Sequence, residues 1–220
     1  MDKKKTITID GPAGAGKSTV GKILAERLGY EYLDTGAIYR ALAFRVLDSG
    51  TDELSEERIG IMAQGVSISL HRNTEGLRIF LDGCDITAFI RTPEIGMLAS
   101  TISAYSAVRK ALLIIQRELG RYGGIVADGR DMGTVVFPSA EHKFYLVADE
   151  AIRVGRRYLE LRQKTDEIEL SDVQEDIRKR DKQDQERQLA PLKPAPDAVF
   201  IDSTGMGIME VVDKMLSFIH

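Results

Sequence analysis

Eight consecutive residues restrict the folds open to this chain more than anything else in it. Gly11-Pro12-Ala13-Gly14-Ala15-Gly16-Lys17-Ser18 satisfies G-x-x-x-x-G-K-[ST] at every fixed position. The context fits as well. Thr6–Asp10 reads as a buried strand of β-branched residues, and Lys17–Leu28 carries Val20, Ile23, Leu24 and Leu28 at helical spacing. Glycines at such a turn allow backbone conformations closed to other residues. Successive N–H groups can then converge on phosphate oxygens at the helix N-terminus. Lys17 adds a point charge near the β- and γ-phosphates, and the Ser18 hydroxyl can ligate Mg²⁺. The loop is therefore expected to take a nucleoside triphosphate with Mg²⁺. It does not say what the triphosphate is used for.

The rest of the chain supplies the layers around that loop. Tyr30–Leu33 reads as a short strand, and Asp34–Thr35 as the N-cap of a helix running to about Asp48. A further helix is expected over Ser55–Gln64. Val66, Ile68 and Leu70 then alternate with polar residues, as do Leu77, Ile79 and Leu81, with a polar turn over Arg72–Gly76 between them. That is a β-hairpin pattern, with a third short strand near Cys84–Ile86, and it reads as a small insert. Thr92-Pro93-Glu94 opens what the sequence predicts as one long helix to about Arg121. Gly124–Asp128 and Lys143–Val147 are buried strands, Glu150–Gln163 and Ser171–Gln188 charged helices, Ala198–Asp202 a last strand and Ile208–Ile219 a last helix. Strands alternating with helices imply an α/β fold with a largely parallel sheet covered on both faces.

Composition removes several functions. The 220 residues carry a formal net charge of −4, which argues against a general nucleic-acid binder. A single cysteine, Cys84, excludes an internal disulfide and a Cys-based zinc site, and reads as a small packed residue. His71, His142 and His220 lie too far apart for helix-face metal spacing. The longest apolar stretches are too short to span a bilayer, and Thr6–Ile9 is too short for a signal-peptide apolar region. A cytoplasmic location and no membrane partner are expected. Charge is concentrated, however: 21 of the 38 residues from Glu150 to Arg187 are charged, against 29% of the whole chain.

Three classes of phosphate-loop protein compete. A GTPase needs an Asn-Lys-x-Asp signature, and the only asparagine is Asn73 in the hairpin turn. An ATPase module usually ends a strand on an acidic pair, whereas Asp128-Gly129-Arg130-Asp131 interposes an arginine. An arginine there suits a second anionic substrate better than activated water. A kinase must close over its substrates and bring cations to the transferring phosphoryl group. Arg153, Arg156 and Arg157 share one helix face, and Arg180, Asp184 and Arg187 fall within a sector of about 60°. Spacing alone leaves surface salt-bridge ladders as an equal alternative, since Glu160 and Lys164 follow the same pattern.

A set of motifs then appears in order: ITIDGPAGAGKST, LDTGAIYR, IRTPEI, VRKALL, VADGRDMGTVVFP, and the RD…D…APL run within Ile177–Leu192. With these the chain resembles the bacterial cytidylate kinases, a family of nucleoside monophosphate kinases, from Thr6 to the last helix. The resemblance implies one kinase domain over residues 1–220. Its core would comprise 1–34, 121–150 and 189–220, around a five-stranded parallel sheet. A monophosphate-binding part with the β insert would span about 35–120, and a lid about 153–165. The implied reaction converts ATP and CMP, or dCMP, to ADP and CDP, or dCDP, with Mg²⁺. The implied partners are these nucleotides alone, and a monomer is expected.

Carried over residue by residue, the resemblance implies that Gly11 to Ser18 and Thr19 bind ATP. Ser18 is favoured over Thr19 as the Mg²⁺ ligand by motif position. Asp128 either organises the metal's water shell or caps its strand. Thr35, Arg40 and Arg130 would hold the monophosphate, with Tyr39 lining that pocket or serving as a core aromatic. Thr35 stands where serine is common in the family and keeps the hydroxyl. Ser100, Arg109 and Asp131 would read cytosine, and Arg180, Asp184 and Arg187 would lie near sugar and base. Asp184 would accept from a ribose hydroxyl or orient Arg180. Lys17, Arg130 and the lid arginines Arg153, Arg156 and Arg157 would stabilise the transferring group.

Overall fold

The computed structural model describes residues 4–50, 55–73, 76–163 and 167–219. In chain order the first elements are β1 (Thr6–Asp10), α1 (Lys17–Leu28), β2 (Glu31–Asp34), α2 (Thr35–Asp48) and α3 (Glu56–Gly65). A hairpin follows, β3 (Ile68–Asn73) and β4 (Gly76–Leu81), with the short β5 (Cys84–Asp85), then α4 (Pro93–Ile102) and α5 (Ser106–Leu119). The remainder is β6 (Ile125–Gly129), a π-helical turn over Met132–Val136, β7 (His142–Val147), α6 (Glu150–Arg162), α7 (Leu170–Glu186), β8 (Val199–Asp202) and α8 (Ile208–Leu216). The chain divides into two compact units, one built from residues up to Tyr32 and from Tyr122 onward, the other from Leu33–Arg121.

The five-stranded sheet has the order β2-β6-β1-β7-β8, with parallel pairing of β1 to β6 and β7 and of β7 to β8. β1 sits at its centre, so Ile7, Thr8 and Ile9 are shut away from water on both faces. The register sets Ile9 opposite Asp128 and Asp10 opposite Gly129. Both carboxylates therefore stand at the C-terminal edge of the sheet, where α/β folds bind ligands. Helix α1 leaves the same edge, and its Val20 and Leu24 bury towards the sheet. The π-helical turn after β6 closes with Val136 N–H on the Asp131 carbonyl at 3.1 Å and Phe137 N–H on the Met132 carbonyl at 2.7 Å. Asp10 holds it from below: its two oxygens accept from Met132 N–H and Gly133 N–H, each at 2.8 Å.

In the second unit α2 lies against α4 and α3 against α5, beside the three-stranded sheet β3-β4-β5. Three of the unit's four described helices are capped by a side chain: Asp34 accepts from Ala37 N–H at 2.8 Å, Ser55 from Arg58 N–H at 3.3 Å, and Thr92 from Ile95 N–H at 3.2 Å. One expectation is overturned here. The single long helix from Thr92 to Arg121 is two helices bent by 104°. The break, at residues 103–105, directly follows the run Ser100-Thr101-Ile102. There Thr101 Oγ1 donates to the Met97 carbonyl at 3.2 Å and Ser103 Oγ to the Ser100 carbonyl at 2.7 Å. Such hydroxyls compete with the helical ladder. Cys84 also departs from expectation. It is exposed, because β5 is a two-residue edge strand paired on one side only.

The segment expected as a lid is part of α6 up to Arg162, and positions 164 and 165 lie outside the described residues. So do positions 74 and 75 of the polar turn, Met1–Lys3 and His220. Among the described residues no single helix is long and apolar enough to cross a membrane.

Candidate active site

The glycines of the phosphate loop are dictated by close approach. A Cβ on Gly11 would stand 2.0 Å from the Leu146 carbonyl oxygen, and one on Gly14, at φ +74°, 2.8 Å from that of Arg153. The loop is thus seated against the end of β7 and the first turn of α6. Lys17, 6% exposed, donates from Nζ to the Pro12 carbonyl at 2.7 Å. Burial and the nearby Arg130 guanidinium push its ammonium down to about 7, against the pull of Asp128, Asp184 and Asp10. Burial likewise pushes the Asp10 carboxyl up to about 6, although Gly133 and Met132 donate to it.

Ser18 Oγ donates to Asp128 Oδ2 at 2.7 Å, and Tyr32 Oη to Asp128 Oδ1 at 2.9 Å. Asp128 is a buried acceptor for two hydroxyls within a strand that runs on to Gly129, rather than a strand cap. A hydroxyl and a carboxylate are hard oxygen donors. They suit Mg²⁺, which keeps several waters and takes further ligands from phosphate. The donor set therefore fits the metal implied by the motif. Tyr32 carried no signal in the sequence, since its partner is 96 residues away.

The arginines of α6 divide. Arg153 is buried: Nε donates to the Ala148 carbonyl and Nη1 to the Ala13 carbonyl, each at 3.0 Å, and Nη1 also to Asp181. Arg156 reaches the Ala15 carbonyl at 3.4 Å, Ser203 Oγ at 3.1 Å and the Ser203 carbonyl at 2.8 Å. Arg157 instead pairs with Glu160 on its own helix at 2.8 Å. That is the ladder alternative, realised for one of the three.

The second charged group is brought together on α7. Arg130 Nε donates to Asp184 Oδ2 at 2.7 Å. Arg187 stands 3.8 Å from Asp184 and 3.7 Å from Asp131. Burial works against the Asp184 charge, but Arg130, Arg187 and Arg180 outweigh it and hold its carboxyl below the usual range. Asp184 thus orients Arg130 as well as lying beside Arg180.

In the second unit, Arg40 Nη2 forks onto both oxygens of buried Asp34, at 3.1 and 3.0 Å. Arg91 reaches the same carboxylate at 3.4 Å. Arg91 was missed, although it directly precedes the helix cap Thr92. Thr35 is buried at the first position of α2. The Arg109 guanidinium lies 6.0 Å from the Tyr39 ring centroid, and its Nη1 donates to the Ser103 carbonyl at 3.1 Å. Ser103 in turn bonds to Ser100, so the helix break links Ser100, Arg109 and Tyr39 into one group.

Comparison with known proteins bears on the chain as a whole. The cytidylate kinase family model matches residues 7–220. A cytidylate kinase of Desulfitobacterium hafniense (strain Y51) is 46% identical over 220 residues, covering 100% of this chain and 94% of that protein. One from Pseudomonas fluorescens (strain SBW25) is 47% identical over 217 residues, covering 98% and 95%. Among solved structures, a gluconokinase from Sinorhizobium meliloti 1021 shares the fold, with a TM-score of 0.50 and 15% identity over 99% of this chain and 92% of that one. With nearly half of all positions identical along essentially the whole length to proteins bearing that name, the chain belongs to the cytidylate kinase family.

Proposed function

We propose that this chain transfers the γ-phosphoryl group of ATP to CMP or dCMP, giving ADP and CDP or dCDP. The observation that carries this reading is full-length membership of the cytidylate kinase family in a chain whose phosphate loop is intact, from Gly11 to Ser18. The residue roles below are part of the proposal.

Gly11–Thr19 take the triphosphate. Lys17 is already buried beside the loop, where a cation is strongest because water is excluded. Ser18 would hold Mg²⁺, and Asp128, which accepts from the Ser18 hydroxyl, would stand beside it. When bound, the metal neutralises charge on the β- and γ-phosphate oxygens. The acceptor is a phosphate oxygen of CMP, a competent nucleophile as it stands, so no strong general base is required. That oxygen forms a bond to the γ-phosphorus as the bridging bond to ADP breaks. Catalysis is then positioning and charge neutralisation.

Thr35, Tyr39, Arg40, Ser100 and Arg109 are assigned to CMP binding, and so are Arg130, Asp131, Arg180, Asp184 and Arg187. Arg40 and Arg130 each present a planar fork suited to phosphate oxygens. Asp131 accepts from the cytosine N4 amine, while Ser100 and Arg109 donate to N3 and O2. Uracil would set a carbonyl against Asp131, leaving two acceptors face to face at a cost of roughly 1–3 kcal/mol. Arg153 and Arg156 act through the loop backbone they hold. A monomer is the proposed working form, and its nucleotide substrates make the cytoplasm its proposed place.

The test is a coupled assay with ATP, Mg²⁺ and, in turn, CMP, dCMP, UMP, AMP and shikimate. CMP and dCMP far ahead of the others is the expected result. Turnover led by UMP or shikimate, or ADP release that ignores the acceptor, would overturn the reading.

A further inference from the structure

Asp181 lies between Arg180 and Asp184 in the charged motif, and none of the roles above uses it. Its side chain closes a ring at the phosphate loop. Oδ1 accepts from Ala13 N–H at 3.2 Å, Oδ2 accepts from Arg153 Nη1, and the same Nη1 donates to the Ala13 carbonyl at 3.0 Å. Ala13 is thereby gripped through both its N–H and its carbonyl. The side chains of Arg153 and Asp181 are only 9% and 14% exposed, so water does little to loosen the ring.

The position of Asp181 follows from the packing of its helix. Val173 and Ile177 of α7 bury against Val154 and Leu161 of α6. Asp181 comes one turn after Ile177 and Asp184 nearly one turn later, so they continue the same face. That face reads as two apolar anchors, a carboxylate on the donor loop, and a carboxylate on Arg130. The two carboxylate oxygens of Asp181 take the backbone N–H on one side and the guanidinium on the other. Without it the Ala13 N–H loses its partner and Arg153 becomes a buried charge whose acceptors are carbonyls alone.

We propose that Asp181 is a positioning residue for the phosphoryl donor, setting the Ala13–Gly14 stretch of the loop and the guanidinium of Arg153 before ATP arrives. This rests on the reading of the loop as the ATP site. The test uses the full-length chain and two substitutions. Asp181→Asn keeps the size and one acceptor, and Asp181→Glu keeps the charge but displaces the carboxylate. ATP with Mg²⁺ is titrated calorimetrically without acceptor, and KM for ATP and for CMP are measured separately.

Both variants are expected to weaken ATP roughly 5-fold or more while KM for CMP stays within about 2-fold. Glutamate is the decisive arm, because an aspartate that merely supplied stabilising charge would be replaced by it without loss of ATP affinity. Wild-type ATP affinity in Asp181→Glu, or an equal rise in both KM values, would overturn the proposal. If wild type binds ATP but does not phosphorylate CMP, the proposed reaction fails while the binding comparison still decides the role of Asp181.

Discussion

Arg153 and Arg156 in the first unit, and Arg40 and Arg91 in the second, are cations held by different kinds of partner. The first two are tied to backbone carbonyls at Ala13, Ala15, Ala148 and Ser203, with Asp181 compensating Arg153. The second two share one carboxylate, Asp34, which also caps α2 through Ala37 N–H. Cations bonded to carbonyls shape the loops that present those carbonyls. Two guanidiniums on one acid carry more positive than negative charge between the three, which favours an incoming phosphate dianion. Under the proposed function, the difference separates arginines that build a site from arginines that bind in it.

The sharpest break to that division is at Lys17, a first-unit cation placed to act directly. Lys17→Ala is expected to lower phosphoryl transfer about 10³-fold or more while the melting temperature holds, since the lost group is a buried charge. Near-normal turnover in a coupled assay would remove the phosphate-loop chemistry. Next in size are Arg40→Ala and Arg91→Ala. Each is expected to raise KM for CMP roughly 10-fold and leave KM for ATP unchanged. The double variant should fall short of the product of the two, because they share Asp34. Effects on ATP instead would make them builders like Arg153.

A smaller effect follows from the Lys17 ammonium, pushed down to about 7 by burial and Arg130. At pH 8 it is mostly neutral, and bound polyphosphate pulls its pKa back up. ATP binding is therefore expected to take up close to one proton at about pH 8 and almost none from this group near pH 6. Calorimetry in buffers of different ionisation enthalpy reads the count directly; uptake that is absent at pH 8 contradicts the assignment. The smallest effect belongs to Arg157, whose partner Glu160 is half-exposed on the same helix. Arg157→Ala should change kcat and KM by less than about 2-fold. A large loss would move it into the group of Arg153 and Arg156.

Much of the fold was legible because its signals are local. Helix α1 runs from Lys17 to Leu28 as the periodicity of Val20, Ile23, Leu24 and Leu28 requires, and the alternation in Ile68–Leu81 is a hairpin. The bend after Ser103 was not legible, because residues of helical character continue on either side of it. In one straight helix Ser100 and Arg109, nine residues apart, would face opposite sides, about 180° around the axis. The 104° bend is what lets Arg109 reach the Ser103 carbonyl next to Ser100.

Sequence alone determined the phosphate loop, the order of strands and helices apart from the break between α4 and α5, and the family, because dihedral freedom, side-chain periodicity and contiguous motifs are properties of neighbouring residues. Only the tertiary structure decided which partners the charged side chains meet. Asp128 meets Ser18 across 110 residues, Ala13 meets Asp181 across 168, and Asp10 holds the turn at Met132 across 122. Whether an arginine shapes a loop, pairs along its own helix or waits for a phosphate depends on which acceptor the folded chain brings within hydrogen-bond reach. That is a matter of long-range packing, on which residue spacing along the chain is silent.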